Sequence, residues 1–278
     1  LHSISLKNIR RGSLPGLRAL LRGMYRSPAV RSEVMGLSFE NPVGMAAGMD
    51  KKGENIPYWE NVGFGWIEIG GVTLHPQEGN PKPRMFRSGK HSALINRMGF
   101  NNPGSDAMAV HFAKLKSKGK WASIPVGINL GKSKNTPNDE ADSDYAGTLE
   151  RLWAFGDLFV VNVSSPNTPN LRELQAGSEL DRILTACNEV NQRLAKDSGT
   201  EAKPILVKIS PDLADEEVTA IADTAIAQGC AGIVATNTTR ARPEEGGVMD
   251  QDGGLSGAPL RTRSTEVVRI LYAHTDGK

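Results

Sequence analysis

The stretch LFVVNVSSPNTP, Leu158–Pro169, decides the fold. It opens with a run dominated by β-branched and aromatic side chains, the composition of a strand buried on both faces. Asn162, Ser164, Ser165, Asn167 and Thr168 then crowd together, braced by Pro166 and Pro169. Proline has no N–H to give a ladder, so the strand ends there and a stiff loop begins. The polar cluster therefore stands at the carboxyl end of a buried strand, where parallel β/α folds carry their ligand sites.

Working outward, five more apolar runs of the same kind recur: Val43–Ala47, Trp66–Ile69, Ile124–Leu130, Pro204–Ile209 and Ala231–Ala235. Helical patterns lie between several of them, as at Glu179–Leu194 and Glu216–Gln228, and one more follows at Thr262–Leu271. Strand and helix in alternation predict a parallel sheet, open or closed, and a complete (β/α)₈ barrel needs two more units than can be counted here. Three stretches are too long for plain connections: Gly71–Asn102, the polar Gly131–Tyr145, and the Gly- and charge-rich Thr238–Gly257, which is the better candidate for a lid over a site.

Composition narrows the function classes. The 278 residues carry a net charge of +2 and 38% hydrophobic content, a globular chain without the basic excess of a nucleic-acid binder. Cys187 and Cys230 stand apart, with neither C-x-x-C nor zinc spacing, so no metal site is expected. No apolar run reaches the length of a membrane span. There is no G-x-S-x-G elbow, no G-x-x-x-x-G-K-[ST] phosphate loop and no G-x-G-x-x-G after a strand. Residues 1–35 differ from the rest: Lys7, Arg10, Arg11, Arg18, Arg22, Arg26 and Arg31 precede the first acid, Glu33, and Leu14, Leu17, Leu20, Leu21 and Met24 fall at near-helical spacing. A basic amphipathic helix of this kind suits a membrane surface, and equally a solvated cap or the tail of a targeting peptide.

The residues just past the apolar runs are Lys51, Asn129, Asn162, Lys208 and Asn237, joined by Asn96 from the long insertion. Parallel topology brings them to one rim. Singly, each is as well explained as a helix cap or a solvated charge. Together, amides offering an acceptor beside donors match a ligand edge that alternates C=O and N–H, as a pyrimidine or a flavin does, and the two ammoniums suit a carboxylate or an electron-rich ring.

The motifs NPVGMAAGMDK, GNPKPRMF, INRMGFNN, NVSSPNTPNLRELQ, VKISPDL, VATNTT and GGLSGAPL, in this order, closely resemble dihydroorotate dehydrogenase, in its membrane-associated, quinone-dependent class 2. The resemblance covers nearly the whole chain. It implies a TIM barrel that binds FMN over residues 36–278, lacking its last two β/α units in this chain, after an amino-terminal helical segment, residues 1–35, that meets the membrane and the quinone. The implied reaction is oxidation of dihydroorotate to orotate in pyrimidine biosynthesis, with FMN taking the hydride and a membrane quinone the electrons. The implied location is peripheral, on the cytoplasmic face of a bacterial inner membrane or on the mitochondrial inner membrane. Class 1 relatives carry Cys where this chain has Ser165, so the family pattern makes Ser165 the base that removes the C5 proton while a hydride leaves C6. Lys51, Asn96, Arg97, Met98, Gly99, Phe100, Asn162, Asn167, Asn237 and Thr238 are implied to hold the substrate. Ala46, Ala47, Gly48, Met49, Asp50, Gly71, Asn129, Asn162, Lys208, Thr236 and Gly257 are implied to hold FMN, with Lys208 facing the charge formed on reduction. The alternatives are a class 1-like enzyme using fumarate or a nicotinamide, and a non-catalytic flavin- or pyrimidine-binding fragment.

Two departures carry expectations. Gly71 stands where relatives have Ser or Thr, which removes a hydroxyl beside the flavin. The chain starts at Leu1 and stops at Lys278, short of the segments that complete the barrel and its phosphate nest in the family. It therefore reads as a truncated copy, expected to expose unpaired edges at Val43–Ala47 and Ala231–Ala235, to hold FMN weakly and to aggregate.

Overall fold

The computed structural model describes residues 15–25, 30–175, 177–244 and 246–277. The basic positions Lys7, Arg10, Arg11 and Arg26 and the apolar Leu14 lie outside them. The predicted amphipathic helix is present as α1, Pro15–Met24, and leaves Leu20 and Met24 exposed to solvent. Arg22 ties it to the body of the protein, its Nη2 donating to Glu60 Oε1 at 2.6 Å and its Nε to Asn61 Oδ1 at 2.8 Å. A hairpin follows, β1 Ser32–Val34 and β2 Leu37–Phe39, turned by Met35 and Gly36, both at positive φ.

All six apolar runs become strands of one parallel sheet. They are β3 Gly44–Met45, β4 Trp66–Val72, β7 Val126–Leu130, β8 Leu158–Asn162, β9 Ile205–Lys208 and β10 Gly232–Val234, in the order 3-4-7-8-9-10. Every neighbouring pair runs parallel, so all carboxyl ends share one rim. Among the described residues the sheet is open, with β3 and β10 as its edges. A short helix, α2 Ile56–Trp59, precedes β4. The crossover helices are α3 Ser105–Ser117, α4 Ala141–Leu152, α5 Gly177–Ser198 and α6 Asp215–Ala227, with α7 Arg261–His274 last.

Between helices and sheet lies one large core. Ile67, Ile69, Ile128 and Leu130 from the strands, Leu149 and Leu152 from α4, and Ile183, Leu184 and Cys187 from α5 are all sealed from solvent. Burial of such side chains contributes about 1.5–3 kcal/mol each, which explains why runs with no polar alternation still form regular strands.

The long insertion and the lid candidate together build a second sheet that periodicity alone does not reveal. β5 Met85–Ser88, β6 Ala93–Asn96 and β11 Gly254–Gly257 pair antiparallel in the order 11-6-5. Its small core is Ala93, Ile95, Met249 and Leu255, with Phe86 alongside. The lid candidate is thus anchored at its far end, and Thr239 also bridges Leu255.

The reading of Gly131–Tyr145 as one long polar connection needs correction, because α4 begins within it at Ala141. The Asp144 carboxylate accepts from the Ser133 N–H at 3.0 Å and the Thr136 hydroxyl at 2.6 Å, folding the loop back onto the first turn of the helix. Asp142 and Asp144 suit that turn electrostatically, and the same acids conceal the helix in the sequence.

Candidate active site

At the rim, four side chains, from β4, β7, β8 and the segment after β10, form one hydrogen-bonded row. Asn129, at the end of β7, donates to Glu68 Oε1 of β4 at 2.6 Å. Asn162, ending β8, donates to Asn129 Oδ1 at 3.0 Å, and Asn237, beyond β10, donates to Asn162 Oδ1 at 3.3 Å. Each amide thereby has its flip assigned by its neighbour, since donors and acceptors alternate along the row. Asn129 and Asn162 are buried. The Ser164 hydroxyl closes the row, donating to Asn162 Oδ1 at 2.9 Å and accepting from Asn237 at 3.0 Å.

Ser165, next in the loop, is buried with its Oγ accepting the Asn167 N–H at 3.3 Å. Asn167 in turn donates to Asn96 Oδ1 at 3.4 Å, joining the loop after β8 to the end of β6. Of the amides expected at the rim, Asn129, Asn162 and Asn237 are in direct contact, while Asn96 pairs instead with Asn167.

Cations gather at the same rim. Burial lowers the Lys51 ammonium to a pKa of about 8, and the neighbouring Arg84 and Lys208 push in the same direction. Among the described residues, neither Lys51 nor Lys208 is in a salt bridge with a carboxylate. A buried cation without a counter-ion is costly unless a ligand supplies the negative charge. The Thr236 hydroxyl is buried and has no hydrogen-bond partner among the described residues.

Several residues named from the family pattern have partners elsewhere in the protein. Asp50 uses its carboxylate locally: it accepts from the Glu54 and Asn55 N–H groups at 2.9 and 2.7 Å and from the Trp59 indole at 3.0 Å. The Ala47 N–H points to Glu68 Oε2 at 3.4 Å and the Gly48 N–H to the Gly70 carbonyl at 3.0 Å. Ala46 and Met49 are exposed. Arg97 turns outward, its guanidinium over the Phe86 ring and bonded to Gln251 and Asp252. Met98 and Gly99 give their carbonyls to Asn80 and Gln77, and Phe100 is buried. Gly257 pairs with Ala93 in the small sheet, and Thr238 lies against Gly254, where a Cβ would meet its hydroxyl. A Cβ on Gly71 would come within 2.7 Å of the Phe100 ring and 3.0 Å of Asn129 Oδ1, so the missing hydroxyl of that position corresponds to a tight approach.

Three supporting residues have no role in the sequence reading, although Arg172 and Asp212 lie inside the motifs NVSSPNTPNLRELQ and VKISPDL. Glu68 starts the amide row; a single acid inside the apolar run WIEIGG is its sequence signal. Arg172 clamps three strand-end loops, donating to the Ser164 carbonyl at 3.1 Å, the Thr238 carbonyl at 3.0 Å and Asp212 Oδ2 at 2.7 Å. Burial alone would raise the Asp212 carboxyl, but bonds from the Arg240 N–H, the Thr239 hydroxyl and Arg172 outweigh it and hold the pKa below its ordinary value.

Comparison with known proteins identifies the family. A family model described as dihydroorotate dehydrogenase matches residues 29–278. A dihydroorotate dehydrogenase (quinone) of Gloeobacter violaceus is 50% identical over 254 residues, covering 91% of this chain and 68% of its own length. A protein of the same name from Thermosynechococcus vestitus is 48% identical over 272 residues, covering 94% and 71%. A crystal structure of DHODH in complex with ferulenol from Eimeria tenella superposes with a TM-score of 0.89 at 37% identity, over 99% of this chain and 76% of that one. The chain belongs to the dihydroorotate dehydrogenase family, among relatives of the quinone-dependent class.

Proposed function

We propose that this protein oxidises dihydroorotate to orotate, with FMN as hydride acceptor and a membrane quinone as the final acceptor. The observation that carries the reading is the row Glu68–Asn129–Asn162–Asn237, a preset ladder of donors and acceptors beside unneutralised cations. A planar imide with a carboxylate satisfies both halves of that site, and no neutral ligand satisfies the second.

The residues present fit a flavin: the Thr236 hydroxyl lacks a partner, and Gly71 lets Phe100 and Asn129 close in on one side. Asn129, Lys208, Thr236, the backbone of Ala46–Asp50, Gly71 and Gly257 are proposed to hold FMN. When bound, FMN supplies the two-electron acceptor, since no side chain can take a hydride. Asn96, Asn162, Asn167 and Asn237 are proposed to orient the substrate ring, and Lys51 to meet its carboxylate.

Ser165 is proposed as the base for the C5 proton. Its Oγ receives the Asn167 N–H, a bond that strengthens as negative charge grows on the oxygen and so favours proton uptake from the substrate. Among the described residues no histidine or carboxylate hydrogen-bonds this hydroxyl, so the field of the local cations and that N–H do the activation. Burial of Ser164, Ser165 and Pro166 keeps bulk water from the reacting carbon.

The exposed apolar residues Leu20, Met24 and Tyr25 support a membrane-facing role for the amino-terminal segment. No described helix is long and apolar enough to cross a bilayer. The reaction is tested by single-turnover flavin reduction in Ser165→Ala. A fall of about 10²–10⁴-fold with orotate binding retained is expected. A variant that kept most of the wild-type rate would remove Ser165 from the mechanism.

A further inference from the structure

Directly outside the amide-lined site lies a cavity of about 560 Å³ whose wall includes Arg97, Lys134, Asn167, Arg240, Arg242 and Asp252. Pro166 and Asn167, in the loop that carries Ser165, line it as well, and the Asn167 N–H donates to Ser165 Oγ, so the chamber borders the loop that holds the candidate base. Four of its lining groups are cations and one is a carboxylate. Among the described residues none of the four is in a salt bridge.

The guanidiniums are instead held by neutral oxygens. Arg240 Nη2 donates to the Pro166 carbonyl at 2.8 Å. Arg242 Nη2 donates to the Gln251 and Gly253 carbonyls at 2.8 and 2.9 Å, and Arg97 Nη1 to Gln251 Oε1 and the Asp252 carbonyl at 3.3 Å. Carbonyls fix position without cancelling charge, so the chamber keeps a net positive potential. The nearby Asp212 carboxylate is already taken up by Arg172. Lys134 is exposed; its backbone N–H donates to Gln77 Oε1 at 2.9 Å, and its ammonium has no partner among the described residues.

We propose that this chamber is an outer anion site, in which a carboxylate-bearing pyrimidine is captured from solvent before it passes the Pro166–Asn167 loop to the inner amides. The proposal rests on the functional reading above. Charge in a cleft of low-dielectric walls focuses the field and speeds encounter with ions of opposite sign. Asp252 breaks the cationic ring on one side, which favours a monoanion over a polyanion that would press against it.

The test is stopped-flow binding of orotate to the FMN-loaded protein at about 0.01 M and about 0.15 M salt, between which the Debye length falls from roughly 30 to roughly 8 Å. The wild-type association rate is expected to drop about tenfold across that range. In Lys134→Gln/Arg240→Gln the low-salt rate falls by a similar factor and the salt slope flattens, while dissociation and turnover at saturating substrate hold. Lys134→Gln alone, which sacrifices no side-chain hydrogen bond, moves part of the way, and Lys134→Glu moves further. The uncharged methyl ester of orotate associates without salt dependence in every variant. A wild-type salt slope in the double variant overturns the outer site and leaves the function standing. Absence of any orotate signal in the wild type at either salt concentration overturns the functional reading itself.

Discussion

Lys51 offers the sharpest test of the inner site. Lowering a lysine from its ordinary value of 10.5 to about 8 corresponds to roughly 3 kcal/mol at about 1.4 kcal/mol per tenfold change in the equilibrium. A carboxylate about 4 Å away at an effective dielectric near 20 contributes about 4 kcal/mol, enough to restore the ammonium. The pKa is therefore higher in the bound state than in the free one. Affinity is fully present below the free value of about 8 and is lost as pH rises through it. In Lys51→Met, orotate affinity at pH near 7 should weaken about 100-fold. By pH near 9 the wild type loses roughly tenfold on its own, so the ratio of the two dissociation constants shrinks to about 10. Taking the ratio cancels titration of the ligand. Orotate titrations followed by flavin absorbance over this range measure it directly, and a ratio that stayed constant with pH would refute an unneutralised Lys51 at the carboxylate. The same variant should raise the Tm of the ligand-free protein at neutral pH, since it removes a largely buried charge that no carboxylate among the described residues pairs.

Gly71→Ala places a methyl 2.7 Å from the Phe100 ring and should cost about 1–3 kcal/mol by overpacking, read as a lower Tm together with weaker flavin retention. Arg172→Lys keeps the charge near Asp212 but cannot reach Ser164, Thr238 and Asp212 at once; turnover should fall while Tm changes little, checked by steady-state kinetics beside calorimetry. Burial pushes the Cys187 thiol far up and that of Cys230 up to about 11, so thiol reagents at pH near 8 should label neither until the protein is unfolded.

How much of this was legible in the sequence follows from what each signal encodes. The six parallel strands are readable because burial on both faces forces unbroken apolar runs, and a Pro or a polar cluster marks where each ends. The rim amides Asn129, Asn162 and Asn237 follow from counting past those ends. The antiparallel sheet of β5, β6 and β11 is not readable this way, since β6 and β11 are more than 150 residues apart in sequence and pair through backbone groups that any residue supplies. INRMGF marks the place of Arg97 but not the direction of its side chain: the guanidinium lies over the Phe86 ring and donates to the Asp252 carbonyl, contacts that only tertiary structure supplies. Arg172 and Asp212 sit in two separate family motifs, and only tertiary structure, by bringing three loops together, shows that they pair.

The inner and outer cations differ in what holds them, and that difference orders their roles. In the outer chamber the guanidiniums are fixed by carbonyls and remain partly wet, so their charge acts at a distance and is screened by salt. In the inner site Lys51 is dry enough for burial and like-charged neighbours to lower its pKa, so its charge acts only on a group in contact and is insensitive to salt. An anion moving inward passes from weak, long-range attraction to strong, short-range pairing, and it relieves the electrostatic cost of the empty inner site only at the last step. Salt should therefore slow arrival without changing departure, whereas deprotonating Lys51 should hasten departure without changing arrival. Measuring both rates against both variables separates the two sets of residues, and a common response of the two rates to salt would show that a single undivided patch of charge governs binding.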